Sequence, residues 1–193
     1  MATSPELKPE PGLPPGERVL ARGRLVTLRA LTWDDLDAMG RWPMFTEAEL
    51  QWANADLRST AQRRLWFRHE QYDPTRLRFA IVVGERLVGV LGLRSIDWRR
   101  HRATLGIRLS AGDVDRGYGT DAIRALFTYA FGQLGLRHID LDVAANNRRA
   151  QRCYEKCGFQ LVGQHRDLRG NLFLDMTASA AEVVKNGQGP LLA

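Results

Sequence analysis

The chain of 193 residues holds two cysteines and no run of about 18 apolar residues. The missing apolar run leaves no candidate for a membrane-spanning helix. Cys153 and Cys157 stand four residues apart in a helical pattern, so they read as packed small hydrophobes facing the core or the helix flank, not as a disulfide or a metal pair. The four histidines, His69, His101, His138 and His165, have no HExxH or Cys-x-x-Cys companion, and no metal is expected. The opening stretch "MATSPELKPEPGLPPGERVL" lacks the basic and apolar regions of a secretory signal. Its prolines mark residues 1–22 as a disordered lead-in, and the expected compartment is the cytoplasm. No arginine cluster alternates with aromatics, so nucleic acid is not an expected partner despite a formal charge of +6. That charge suits an anionic ligand without naming one.

Hydrophobic residues make up 44% and charged residues 26%, the balance of one globular domain with a core of its own. "RLVTLRAL" (24–31) has the composition of a strand. Thr32 then caps a helix on which Leu36, Met39 and Trp42 recur at helical spacing. Residues 46–71 predict one or two further helices, broken near Asp56. "LRFAIVVGERLVGVLGL" is a hairpin about Gly84-Glu85, and "ATLGIRLS" (103–110) another strand. A helix over 118–134 stops at Gly135, a strand covers 138–143, a helix covers 147–158, and two strands close the fold. The order predicts a single α/β domain over 23–179: one mixed sheet of about six to seven strands with helices on both faces. Residues 180–193 are expected to fray.

Among these elements, "VDRGYGTDAIRAL" (114–126) carries the first chemical signal. A helix N-terminus leaves backbone N–H groups unpaired and favours negative charge, and glycines let those amides approach a phosphate. Val114, Asp115, Arg116, Gly117, Tyr118, Gly119 and Thr120 therefore form a candidate anion cradle, with Arg116 adding full charge. "GYGTDA" also satisfies the dinucleotide fingerprint G-x-G-x-x-A, which keeps a nicotinamide-dependent oxidoreductase as an alternative. That fingerprint sits directly after its strand and opens its fold; here "SAGDVDR" intervenes and four strands precede it. No Lys-Ser or Lys-Thr follows the glycines, which excludes a P-loop.

One helix and one strand downstream comes "DLDVAANNRRAQRCYEKCGF" (140–159), which reads V-x-x-x-N-x-x-A-x-x-x-Y-E-K-x-G-F. With both segments in this order and spacing, residues 23–179 resemble the GNAT superfamily of acetyl-CoA-dependent N-acetyltransferases. "RLVTLRALTWDDLDAM" and "GNLFLDMTAS" are most similar to its RimJ/RimL-like branch, which also holds polyamine acetyltransferases. The resemblance implies a GNAT-type domain with acetyl-CoA as co-substrate, its pyrophosphate on the cradle and its pantetheine arm along Ile107, Arg108 and Leu109. That strand would splay from the next parallel one. Asn147 matches the asparagine that hydrogen-bonds the arm, with Arg149 beside it; Asn147 also reads as a plain helix cap, and both roles can hold together.

The same resemblance casts Tyr154 as the general acid that protonates the leaving thiolate, and a backbone N–H near Ile107 or Arg108 as the group that polarises the thioester. Strand alternation turns Asp142 away from Ile139, Leu141 and Val143, which makes it a candidate base acting through water; a salt bridge to an arginine is the alternative. Relatives often place a glutamate where this chain has Thr104, and a glutamine or arginine where it has Val114. The matched motifs contain no nucleophile, so the amine attacks directly. The expected acceptor is a peptide N-terminus, with a polyamine or an aminoglycoside-type antibiotic as the alternative; a non-catalytic acyl-CoA sensor is the reading from another class. Acceptor contacts are expected from residues 32–72 and 95–102, with Glu47, Glu49 and Asp56 as cation-attracting candidates and Trp42, Phe45 and Trp52 as slot candidates. A homodimer is compatible with the branch.

Overall fold

The computed structural model describes residues 19–47 and 59–185. Eight strands form one sheet: β1 (Val19–Arg22), β2 (Thr27–Ala30), β3 (Leu77–Val83), β4 (Arg86–Asp97), β5 (Arg102–Leu109), β6 (His138–Ala144), β7 (Gln160–Arg166) and β8 (Leu172–Ser179). Their order is β1-β2-β3-β4-β5-β6-β8-β7. The count exceeds the six to seven expected because Val19–Arg22, assigned by composition to the lead-in, pairs antiparallel with β2. Every neighbouring pair is antiparallel except β5 and β6. At the other end, residues expected to fray begin with a helical turn, α5 (Ala180–Lys185), whose Val183 is fully buried.

Helices flank the sheet. On one side α1 (Trp33–Met39) begins at Thr32, and Thr32 and Asp35 form a reciprocal capping box. Asp35 also takes two hydrogen bonds from Arg29, at 2.6 and 2.7 Å. Burial alone would raise this carboxyl, but the bonds from Arg29 and Thr32 outweigh it and hold the group below the usual aspartate value. Leu36 and Met39 of α1 pack with Leu31, Ala80, Val82, Leu87 and Val90, and Trp42 lies against them. α2 (Thr60–Tyr72) follows; Glu49, Trp52 and Asp56, and the predicted break near Asp56, lie outside the described residues.

The opposite face carries the larger core. α3 (Tyr118–Gly132) presents Ala122, Ile123, Leu126, Phe127 and Ala130, all at 0% exposure, as the stripe its sequence predicts. It closes through Gly135, at φ 68°, as Leu136 N–H donates to the Ala130 carbonyl at 3.0 Å. Burying each large apolar side chain of this set stabilises the fold by about 1.5–3 kcal/mol. α4 (Arg148–Lys156) follows β6 and ends in the turn at Gly158, φ 91°. Gln151 is its buried polar residue; its amide donates to the Ala144 and Ala145 carbonyls at 3.1 and 2.9 Å, which ties α4 to the end of β6. No helix among the described residues is long and apolar enough to cross a membrane.

Candidate active site

The parallel strands part company halfway along. β5 and β6 pair only at Arg102–His138, Ala103–Ile139 and Thr104–Asp140. Beyond Thr104, β5 stays bonded to β4 as far as Leu109, while β6 stays bonded to β8 as far as Ala144. The edge of β5 over residues 105–109 is therefore open. A cavity of about 660 Å3 occupies the gap, lined by Ile107, Arg108 and Leu109 on one side and Asp142, Val143 and Ala144 on the other.

One end of this cavity is the glycine loop. After β5 a short 3-10 turn, Ala111–Asp113, is anchored where buried Asp113 accepts from Arg86 at 2.8 and 2.9 Å. The chain then passes through Asp115 at φ 60° and Gly117 at φ 79° before α3 begins. That left-handed turn is the physical reason for glycine at 117. No side chain caps α3, so the amides of Tyr118, Gly119 and Thr120 keep no side-chain partner. The nearby carboxylate of Asp121 is engaged elsewhere: it accepts from the Arg24, Leu25 and Val26 amides at 3.0, 2.7 and 3.0 Å, bracing the loop between β1 and β2 against the cradle. A diphosphate fits such an uncapped, glycine-bearing helix start.

Val114, Asp115, Gly117, Gly119, Thr120, Asn147 and Arg149 all line the cavity. Arg116 is exposed and Tyr118 packs against the core, and neither side chain is among the lining groups. Asn147 accepts from Ala150 N–H at 3.1 Å, so it caps α4 while facing the cavity. Arg149 stands between Asp115 at 3.4 Å and Glu47 at 3.7 Å, with its guanidinium over the Phe45 ring at 5.7 Å. Sequence reading did not select Arg152 and Lys156, which continue the cationic wall from Arg149 at helical spacing. It also did not select Phe173, which arrives from β8. The helical pair could have been found from spacing; Phe173 carries no local signal.

At the other end stands Tyr154, partly buried, its ring edge-on to Phe159 at 5.8 Å. Burial first, then the charges of Cys153, Asp142 and Cys157, pushes the phenol above its ordinary value. Asp142 lies in register opposite Asp175 of β8 and is bonded to Arg94 at 2.9 Å. The arginine pairing anticipated as one alternative is thus present. Both side chains are about two-fifths exposed, at 43% and 39%, so the pair contributes at most about 1 kcal/mol and yields readily to a competing cation.

Cys153 packs against the core as expected and also borders the cavity. Its neighbour Cys157 is buried in the core, but Cys153 lines the cavity and lies 3.3 Å from the Thr120 hydroxyl. The neighbouring Cys157, then Thr120, Lys156 and Arg124, lower the Cys153 thiol against the effect of burial, while Cys157 is pushed up. Iodoacetamide should therefore label Cys153 at a lower pH than an ordinary thiol, and acetyl-CoA should protect it. Labelling of Cys157 instead, or labelling indifferent to acetyl-CoA, would contradict this placement. Among the described residues no cluster of metal-ligating side chains occurs.

Known proteins are similar to this chain in sequence and fold. A family model described as "Acetyltransferase (GNAT) domain" matches residues 25–160. The chain is 30% identical over 155 residues to aminoglycoside N(6')-acetyltransferase type 1 of Klebsiella pneumoniae, covering 72% of this chain and 75% of that protein. It is 26% identical over 129 residues to the putative ribosomal N-acetyltransferase YdaF of Bacillus subtilis, covering 67% and 68%. The spermidine N-acetyltransferase of Vibrio cholerae, solved with CoA and spermine, superposes with a TM-score of 0.71 over 83% of this chain and 98% of that one, at 22% identity, a likeness of fold. The chain belongs to the GNAT acetyltransferases and is an N-acetyltransferase that uses acetyl-CoA.

Proposed function

We propose that this chain acetylates a primary amine by direct attack, and that a peptide N-terminus is its first acceptor class. One observation carries the reading: a single cavity joins the uncapped start of α3, the open edge of β5 and Tyr154. In this reading the amides of residues 118–120 bind the pyrophosphate, and the β5 edge aligns the pantetheine arm by backbone hydrogen bonds. Acetyl-CoA supplies the thioester. A backbone N–H near Ile107 or Arg108 polarises its carbonyl. Asp142 draws the ammonium away from Arg94 and takes its proton through water, which frees the nitrogen pair to form the new C–N bond. Tyr154 donates its proton as the C–S bond breaks, the attacking nitrogen gives up its second proton to solvent as the amide forms, and the phenolate recovers a proton from solvent.

An extended acceptor suits the open side of the site. Beyond Asp142 the sheet offers Phe173, stacked on His165 at 5.6 Å, with His165 bonded to Asp175 at 2.8 Å and half exposed. A second reading, a small oligo-amine, is favoured by the name of the Klebsiella relative and by the carboxylates of Asp142 and Asp175. A screen of peptides, polyamines and aminoglycosides with free thiol as readout separates them: peptides should lead. A polyamine or aminoglycoside turned over faster would reassign the acceptor, and thioester binding without thiol release from any amine would make the chain a sensor. Coenzyme A at a hundredfold over its Kd should stabilise the fold by about 2.7 kcal/mol, whereas NAD(P) should not.

A further inference from the structure

Just outside the cavity wall, the last two strands of the sheet hold a histidine against a carboxylate. Register aligns Asp142 of β6 with Asp175 of β8 and, past an irregularity between Leu161 and Gly163, with Gly163 of β7. A neighbouring row on the same face holds Ala144, Phe173 and His165. Asp142, Asp175, Phe173 and His165 therefore all stand on the side of the sheet away from Leu141, Val143 and Met176. Asp142 and Phe173 line the cavity, and the His165 ring stacks on Phe173 at 5.6 Å, with 14° between the planes. His165 is thus one side chain removed from the space where acyl transfer would occur.

Gly163 gives Asp175 the room to reach it. A Cβ at that position would already touch Asp175 Oδ2 at 3.4 Å. With no side chain there, the carboxylate leans diagonally over β7, and its Oδ1 meets His165 Nδ1 at 2.8 Å. An ionised carboxylate only accepts, so Nδ1 carries the proton and Nε2 presents its lone pair. Nε2 has no hydrogen-bond partner among the described residues, and the side chain is 49% exposed. A ring fixed through one nitrogen by a carboxylate, with the other nitrogen open, is built to take up a proton. The charged groups on its face are Asp175, then Asp142 and Asp140 of β6 with their partners Arg94 and Arg102; Arg166 alternates to the other face.

We propose that His165, oriented by Asp175, carries the acceptor's proton from Asp142 out to solvent. The inference rests on the acetyl-transfer reading and says where the proton taken by Asp142 goes. An amine holds its proton far more tightly than a carboxylate does, and an imidazole stands between the two. Asp142 alone would hand the proton back before the nitrogen attacked, the more so while Arg94 is bonded to it. In the relay the ammonium N–H bond breaks toward the water on Asp142. The proton then passes from the Asp142 carboxyl through water to His165 Nε2, and the imidazolium releases it to bulk solvent. Both side chains are open to solvent, which supplies the connecting water. His165 touches neither the amine nor the thioester; it acts through Asp142.

The test measures kcat against pH, with the acceptor that leads the amine screen, in the full chain and its His165→Phe and His165→Ala variants. Wild-type kcat should rise with pH as the imidazolium empties, because a protonated relay accepts nothing. His165→Phe keeps a ring on Phe173 and loses the proton site. Its kcat should fall roughly tenfold to a hundredfold and lack that rise, with KM and coenzyme A affinity within about twofold of wild type. His165→Ala leaves a gap, so free imidazole should restore part of its rate and none of the rate of His165→Phe. An unchanged kcat in His165→Phe, or a loss that keeps the wild-type pH profile and ignores imidazole in His165→Ala, overturns the relay while acetyl transfer stands. A wild type that releases thiol with no amine removes the transfer reading itself, and the relay with it.

Discussion

Replacing Tyr154 with phenylalanine should lower kcat roughly a hundredfold to ten-thousandfold and leave acetyl-CoA affinity within about twofold. Only the hydroxyl is lost: the ring keeps its edge-on contact with Phe159, so the cavity wall stays in place. The split between kcat and Kd is diagnostic, since a purely structural tyrosine would weaken both or neither. The pH profile adds an independent check. Because burial and the neighbouring Cys153, Asp142 and Cys157 raise the phenol's pKa, its protonated form persists through pH 10, about where a free tyrosine ionises. Wild-type turnover should climb with amine deprotonation and show no descending limb near that value. A limb there, or an unchanged rate in the phenylalanine variant, would remove Tyr154 as the acid.

The second large effect belongs to Gly119. A Cβ at this position would meet Cys153 Sγ and Leu109 Cδ1 at 3.5 Å, ordinary contact distances, so the wall has room for one carbon and no more. Alanine should fold well and even stabilise α3 by up to about 1 kcal/mol. Valine adds two methyls whose free direction is the cavity itself. Gly119→Val should thus weaken coenzyme A binding about a hundredfold or more, ~2.7 kcal/mol, while Gly119→Ala costs far less. The contrast separates a crowded ligand from a damaged helix. Equal affinity in both variants would show that the diphosphate lies elsewhere. Gly117 behaves differently, because its φ of 79° strains any side chain whatever occupies the cavity.

Much of this site could be read from the chain because its parts are local. A helix start marked by glycines, a strand with alternating faces, and a capped helix carrying Tyr154 seven residues after Asn147 are all short-range patterns. Their joint placement follows from a crossover that returns the chain to the same sheet edge. Ile139, Leu141 and Val143 are buried and Asp142 is not, as alternation requires. What alternation could not supply was the partner of Asp142, since Arg94 is 48 residues away and reaches it across an intervening strand. Phe45, Phe173 and the Trp42 ring over Arg108 come together only through tertiary packing. The eighth strand was missed because proline-rich composition up to residue 15 dominated the reading of Val19–Arg22. Helical spacing set Cys153 against the core, where it packs, but could not show that the same face also borders a cavity.

The most direct measurement is a crystal of the protein soaked in acetyl-CoA. Density should place the diphosphate on the amides of Tyr118, Gly119 and Thr120, run the pantetheine arm along the free edge of β5, and bring the sulfur beside the Tyr154 hydroxyl. A donor molecule found on any other face of the sheet, or with its sulfur remote from Tyr154, would contradict that arrangement.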